Sequence, residues 1–397
     1  MRAPIDFSGE AALKFAPVRN RRTRLVNLAI ATISLVLAVL SCELASRLFL
    51  DPVDYLSPIL AHDDVLGMKL PGGSGGHDGW GFRNSRVPET AEVVAIGDSH
   101  TYGNTAKMSE SWPTVFGRLT GKTVYNLGMG GYGPNQYDHL LRTKALGLKP
   151  RLVICALFMG NDFEDAYHIT YGLDSWSFLR REGPREKIDP GLWQNESSFA
   201  LSWHKRIRNW LSRYSILYRL LFHAALQSLK GRFQVENAAR LYDSTTSLLL
   251  PEKGVREAFV PKVRLHALDQ ESPSVREGMR LTFELLRDMS ALSAKNNIRF
   301  LVAVIPTKET VFARYLEHNP KVSMSETIDA VIANERIARG AVFARLEQEG
   351  IRYVDLLPAM EEASGRERIY AYSAVDMHPN ANGYRVIAET ISQSLAK

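Results

Sequence analysis

Cysteine is nearly absent from this chain. Only Cys42 and Cys155 occur in 397 residues, so no disulfide framework staples the fold and no cysteine cluster is available for zinc. The ten histidines form no His-Glu-x-x-His pair, which removes the common metallohydrolase signature. Gly128, Gly130 and Gly133 fall in the G-x-G-x-x-G spacing, a weak signal alone, and Gly121-Lys122-Thr123 lacks the glycine five positions earlier, so no G-x-x-x-x-G-K-S/T phosphate loop occurs. Neither a cofactor nor a metal is expected. Internal repeats and low-complexity tracts are also lacking.

Charge is unevenly spread. The formal net charge is +6, which by itself would suggest an acidic partner such as nucleic acid. Residues 1–24 hold Arg2, Lys14, Arg19, Arg21, Arg22 and Arg24 against Asp6 and Glu10, so +4 of the +6 lies there. The rest is close to neutral, and nucleic acid is not an expected partner.

Directly after the basic cluster, "LVNLAIATISLVLAVLSC" (residues 25–42) carries no charge. As a helix rising ~1.5 Å per residue it covers about 27 Å, close to the hydrocarbon thickness of a bilayer. Basic residues on its N-terminal side predict that the N-terminus faces the cytoplasm and that the chain after Glu43 is exported, to the periplasm in a two-membrane cell. The run is long for a signal-peptide core and no clear A-x-A site follows, so it reads as an uncleaved anchor. Cys42 in "VLSC" offers lipidation as an alternative, although Leu40 suits that signal poorly. Cys155 lies in an apolar run and is expected to pack as a small hydrophobe.

The remaining organisation follows from hydrophobic periodicity. "PGGSGGHDGWGFRN" (71–84) is glycine-rich and reads as an irregular stalk or loop. Beyond it, short apolar runs alternate with helical patterns, as in a parallel sheet covered by helices. Strands are predicted at 93–97, 123–128, 151–158, 299–306 and 352–357, and helices near 111–120, 135–147, 275–296, 326–349 and 382–396. The expected architecture is α/β: a flavodoxin-like three-layer α/β/α sandwich on a mainly parallel five-stranded sheet, plus an N-terminal transmembrane helix and a helical insertion. Its parts would be a cytoplasmic basic segment (1–24), an anchor (25–45), a juxtamembrane linker (46–90) and a domain (91–397) interrupted at about 165–274. Within the interruption, "WHKRIRNWLSRYSILYRLLFHAALQSLKGRF" spaces apolar and basic residues as amphipathic helices do. It reads as a lid or packing insertion, or as a contact for a membrane surface or a partner. Trp193, Trp203 and Trp210 could line a sugar site, but aromatics at helical spacing are more often core.

Ligands of such sheets bind at the carboxyl ends of the strands. The first three runs lead into Gly97-Asp98-Ser99, Gly128 to Gly133, and Gly160-Asn161-Asp162, and Asp376-Met377-His378 comes after the fifth. Acyl transfer needs a hydroxyl nucleophile, a base, a group that orients the base, and donors for an oxyanion. Ser99, His378, Asp376, and a backbone N–H near Gly131 with the Asn161 amide supply these types. Each also has a bland reading: Ser99 and Asp98 as helix caps, the glycines as a tight turn, Asn161 as a cap, His378 as a packing residue. Four blocks in order favour the catalytic one. The G-x-S-x-G elbow of α/β-hydrolases is absent, since position 101 is Thr.

Together "GDSHTYG", "NLGMGGYG", "MGND" and "DMHPN" resemble the four blocks of the SGNH, or GDSL-like, hydrolase superfamily; the N-terminal anchor, "GWGFRN" and "VIPTKETVF" are similar to a bacterial membrane-anchored subgroup. The resemblance covers roughly residues 78–170 and 275–397. It implies Ser99 as nucleophile, His378 as base, and Ser99 N–H, Gly131 N–H and Asn161 as the oxyanion hole, with Gly130 a near competitor of Gly131. Two positions depart from the pattern. His100 stands where Leu is frequent and is expected to matter little. Val375 occupies the usual position of the orienting Asp, three before the His, and Asp376 lies two before it, a spacing that polysaccharide acetyltransferase-type relatives use. The resemblance implies a membrane-anchored extracytoplasmic serine esterase acting on O-acyl, especially O-acetyl, esters of an envelope or exported polysaccharide. The alternatives are a polysaccharide O-acetyltransferase with the same triad and a non-catalytic carbohydrate-binding or assembly protein. Oligomeric state is not legible.

Overall fold

The computed structural model describes residues 21–182, 188, 203–224, 233–235, 237, 240, 245–250 and 255–396. It divides into two units, Met1–Leu50 and Asp51–Lys397. Within the first, Arg21–Phe49 is one helix of 29 residues, and none of its residues is buried. It is long and apolar enough to cross a membrane.

The second unit is built on five parallel strands: β3 Val93–Gly97, β4 Val124–Gly128, β5 Leu152–Phe158, β8 Arg299–Ile305 and β9 Arg352–Asp355. They lie in the order β4-β3-β5-β8-β9, which is the 2-1-3-4-5 order of flavodoxin-like sheets. Every residue of β3 and β5 is buried, as expected of continuous apolar runs with helices on both faces. Alternation along the strands divides the core in two. Val94, Ile96, Val153 and Cys155 face Tyr137, Leu286 and Val342 on one side. Val93, Ala95, Ile154 and Ala156 face Trp112, Phe116, Tyr384 and Ile387 on the other. Cys155 is a free, buried thiol inside the first layer.

Two antiparallel hairpins, absent from the sequence expectation, flank this sheet. The first, β1 Ala61–Asp63 with β2 Gly67–Lys69, lies in the stretch expected to be a linker. That stretch is folded against the sheet because its polar side chains complete it. Asn84 pairs with the backbone of Asn126 on edge strand β4, donating to its carbonyl at 3.0 Å and accepting its N–H at 2.9 Å, which occupies an edge that would otherwise be open. Asp78 accepts from the N–H groups of Trp80 and Phe82 and from the Tyr125 hydroxyl. Arg83, nearly buried, donates to the Gly103 and Ala106 carbonyls and to Asp54. "GWGFRN" therefore plugs the side of the sheet.

The second hairpin, β6 Thr246–Leu250 with β7 Val255–Phe259, belongs to the insertion. It is held by "VIPTKETVF" after β8: the buried Lys308 ammonium lies 2.8 Å from Glu257, and Glu309 accepts the Val260 N–H at 2.8 Å. The start of the insertion is regular, since Asp162–Gly172 is a helix that continues the third βα unit. Within the described part of "WHKRIRNWLSRYSILYRLLFHAALQSLKGRF", helices run Trp203–Tyr214 and Ile216–Arg219. Trp193 lies outside the described residues.

Candidate active site

The strand order reverses beside β3, and the crevice at the carboxyl ends of β3 and β5 is the topological switch point. β3 ends on Gly97, Asp98 caps the short helix Ser99–Tyr102, and Ser99 is its first residue. The turn is tight: a Cβ on Gly128 would lie 2.3 Å from the Tyr102 nitrogen, so only glycine lets β4 and this helix approach so closely.

Ser99 Oγ lies 2.7 Å from His378 Nε2, and His378 Nδ1 lies 2.6 Å from Asp376 Oδ1. That same Oδ1 accepts the His378 backbone N–H at 3.1 Å, and the Asp376 N–H is bound by Ser373 Oγ at 2.9 Å. The two-residue spacing therefore works through a local turn that brings the carboxylate round to its own histidine. Burial pushes the Asp376 carboxyl up, but the hydrogen bonds and charge of His378 outweigh this and hold it below the usual range. Nδ1 facing a carboxylate carries the proton, which leaves Nε2 to accept from Ser99.

The histidine does not directly follow the last strand, as the sequence pattern suggested. Helix Leu357–Arg366 intervenes, and His378 stands on the loop between it and helix Ala381–Ala396. The loop is fixed by Ala371 N–H to the His378 carbonyl (3.0 Å) and by Thr105 Oγ1 to the Pro379 carbonyl (2.6 Å). Thr105 follows the serine helix closely, so this contact ties the His378 loop to the Ser99 helix.

His100 is the main departure from the sequence reading, which gave its side chain little importance. Its ring is buried, with centroids 4.8 Å from His378 and 3.9 Å from Phe158. Its backbone N–H and Nδ1 bind the two oxygens of Asp98 at 2.8 and 3.1 Å. Burial lowers the His100 pKa despite the nearby carboxylate, so the ring is neutral and donates through Nδ1–H. Burial also opposes ionisation of Asp98, but His100 and its hydrogen bonds prevail and keep that carboxyl low. A second His–Asp pair thus lies beneath the first, and Asp98 Oδ2 is 3.3 Å from Ser99 Oγ.

Asn161 follows β5 and caps helix Asp162–Gly172. Its Nδ2 donates to Asp165 Oδ2 at 2.8 Å, which fixes the amide plane; Asp165 was not singled out from the sequence. Gly131 is the third residue of a turn closed by Tyr132 N–H to the Met129 carbonyl at 3.2 Å, and its φ of +79° is the one a type II turn demands there. A Cβ on Gly130 would lie 3.7 Å from the Ser99 Cβ, whereas one on Gly131 would meet nothing within 4 Å. The structure therefore brings Ser99, His378 and Asp376 into one relay, sets Asn161 at the neighbouring strand end, and borders Ser99 with the Gly130–Gly131 turn. Among the described residues no group of three or more His, Cys, Asp or Glu side chains is placed to hold a metal ion.

Under the site, Asp162 accepts from Phe158 N–H (2.9 Å) and Tyr137 O–H (3.0 Å). Burial, then the charges of Asp98 and Asp165, raises its pKa well above the ordinary range. The folded protein keeps a proton that the unfolded chain releases above about pH 4, so this group's contribution to stability falls as pH rises. Asp162→Asn is expected to raise Tm more at about pH 8 than at about pH 5, the wild-type slope being at most about 1.4 kcal/mol per pH unit for one linked proton. An equal change at both would contradict a protonated Asp162.

No family model matches the chain, and no curated protein matches it. Solved structures do. A phospholipase A1 from Streptomyces albidoflavus is 11% identical, with 78% of this chain and 100% of that one covered at a TM-score of 0.39. A catalytic mutant of an acetylxylan esterase from Geobacillus stearothermophilus is 12% identical (78% and 95% covered, TM-score 0.37). A member of the lipolytic protein G-D-S-L family from Veillonella parvula is 10% identical (77% and 98% covered, TM-score 0.35).

Proposed function

We propose that this chain is an SGNH-type serine ester hydrolase, held at a membrane by helix Arg21–Phe49 with its active site on the extracytoplasmic side. The observation that carries the reading is the continuous relay from Ser99 Oγ through His378 to Asp376, with contacts of 2.7 and 2.6 Å. Ser99 attacks the ester carbonyl while Nε2 of His378 takes its proton, and the Asp376 carboxylate stabilises the imidazolium that results. The oxyanion is received by the N–H groups of Ser99 and Gly131 and by the Asn161 N–H left over from its bond to Asp165. His378 then returns its proton to the leaving alkoxide, and water, activated by the same imidazole, releases the acyl group.

The substrate class proposed is an O-acyl, especially O-acetyl, ester of an envelope or exported polysaccharide. Partial exposure of the relay favours reach by a polymer, the side chains of His378 and Asp376 being 22% and 38% exposed. Transfer to a sugar hydroxyl would use the same acyl-enzyme and differ only in the second acceptor. The test is hydrolysis of p-nitrophenyl acetate and of acetylated polysaccharide, with acetate release and acetyl transfer followed separately. Asn161→Ala is expected to lower kcat by about 10² to 10³ with little change in KM, as a lost oxyanion donor does. A KM effect alone would assign Asn161 to ground-state binding instead.

A further inference from the structure

Helix Trp203–Tyr214 does something a packed helix does not. Trp203, Ile207, Trp210 and Tyr214 recur at i, i+4, i+7 and i+11 and so fall on one face. In a helix covering a core this stripe would be buried, yet these residues are 74%, 50%, 59% and 51% exposed. Two more large apolar side chains, Leu221 and Phe222, are exposed just beyond. Residues 203–224 contain Lys205, Arg206, Arg208, Arg213 and Arg219 and no acidic residue at all.

From this face we infer that helix Trp203–Tyr214 lies in the surface of an anionic bilayer, with its Trp/Ile/Trp/Tyr stripe at the headgroup boundary and its basic residues against lipid phosphates. Two independent features point to lipid rather than protein. Trp and Tyr are the side chains that membrane interfaces select, and an all-basic flank complements anionic headgroups. The helix is also tied to the start of the folded unit. Ser57 N–H donates to the Ser212 carbonyl at 2.9 Å, and Arg219 Nε donates to the Tyr55 carbonyl at 2.7 Å. Ser57 follows Phe49, the last residue of the apolar helix, by eight positions; eight residues span at most about 28 Å. The inference rests on the proposed membrane span and not on the ester chemistry. It gives the insertion a role: fixing the domain's orientation toward the membrane.

The test uses the full chain reconstituted into vesicles of phosphatidylcholine with phosphatidylglycerol, carrying brominated acyl chains as quenchers. Flotation with the vesicles reports the span, and tryptophan quenching reports the helix. The double variant Trp203→Ser/Trp210→Ser is expected to float as before while its brominated-lipid quenching falls at least twofold. Replacing phosphatidylglycerol by phosphatidylcholine is expected to weaken wild-type quenching. Flotation with equal quenching in wild type and double variant would overturn the inference and leave the span standing. Quenching indifferent to lipid charge would overturn the anionic surface, and failure to float would overturn span and inference together. A stripe covered by protein, whether another segment of this chain or a partner, would appear as the first of these contrary results.

Discussion

Ser99→Ala is expected to reduce turnover of an acetyl ester by about 10⁶, the loss seen when the nucleophile of a serine triad is removed. The size follows from geometry. Without Oγ no serine hydroxyl stands 2.7 Å from His378 Nε2 to be activated, and only water attacking a carbonyl polarised by the oxyanion donors can react. Asp98 cannot take over: it is buried, and both of its oxygens are engaged by His100. Substrate should still bind, since the Gly130–Gly131 turn and Asn161 are untouched, so KM is expected to move far less than kcat. Equal rates for wild type and variant would remove Ser99 from the chemistry.

Asp376→Ala is expected to cost about 10⁴ in kcat, comparable to losing the carboxylate of other triads. Two effects combine. The carboxylate selects the tautomer with the proton on Nδ1 and stabilises the imidazolium, and its Oδ1 also holds the His378 backbone N–H. Asp376→Asn keeps the oxygen for both contacts and loses the charge, so it should fall between wild type and Ala. A loss below about tenfold in the Ala variant would take the orienting role from Asp376.

Much of this was legible in the sequence because the signals were local. β3 and β5 are apolar runs buried on both faces, and parallel strands of that kind announce themselves without knowledge of their neighbours. Ser99, Asn161 and His378 lie beside glycine, aspartate and proline in short blocks whose order matches the strand order. What stayed hidden depends on residues far apart in the chain. His100 looked like an ordinary substitution beside the nucleophile because its neighbours Phe158 and His378 are supplied by other elements. A histidine directly after Gly-Asp-Ser was the one available signal. Asp165 was readable in principle, standing four residues after Asn161 on a helix, where side chains share a face. β1 and β2 have three residues each, too few for alternation to separate them from loop, and β6 and β7, TSLLL and VREAF, are not the continuous apolar runs that mark β3 and β5.

His100 also changes what the first block means. In the sequence, Asp98 appeared as a helix cap beside a nucleophile. In the structure it is a buried anion held by His100 and set against Ser99, so the serine stands between two His–Asp pairs, of which only His378–Asp376 presents a nitrogen to its hydroxyl.

The most direct test is to map the site of reaction with a fluorophosphonate, which phosphonylates only a serine activated by a neighbouring base. One adduct, on Ser99, is expected in the intact protein, and it should disappear in His378→Ala. An adduct on another residue, or Ser99 labelling that persists without His378, would contradict catalysis by this relay.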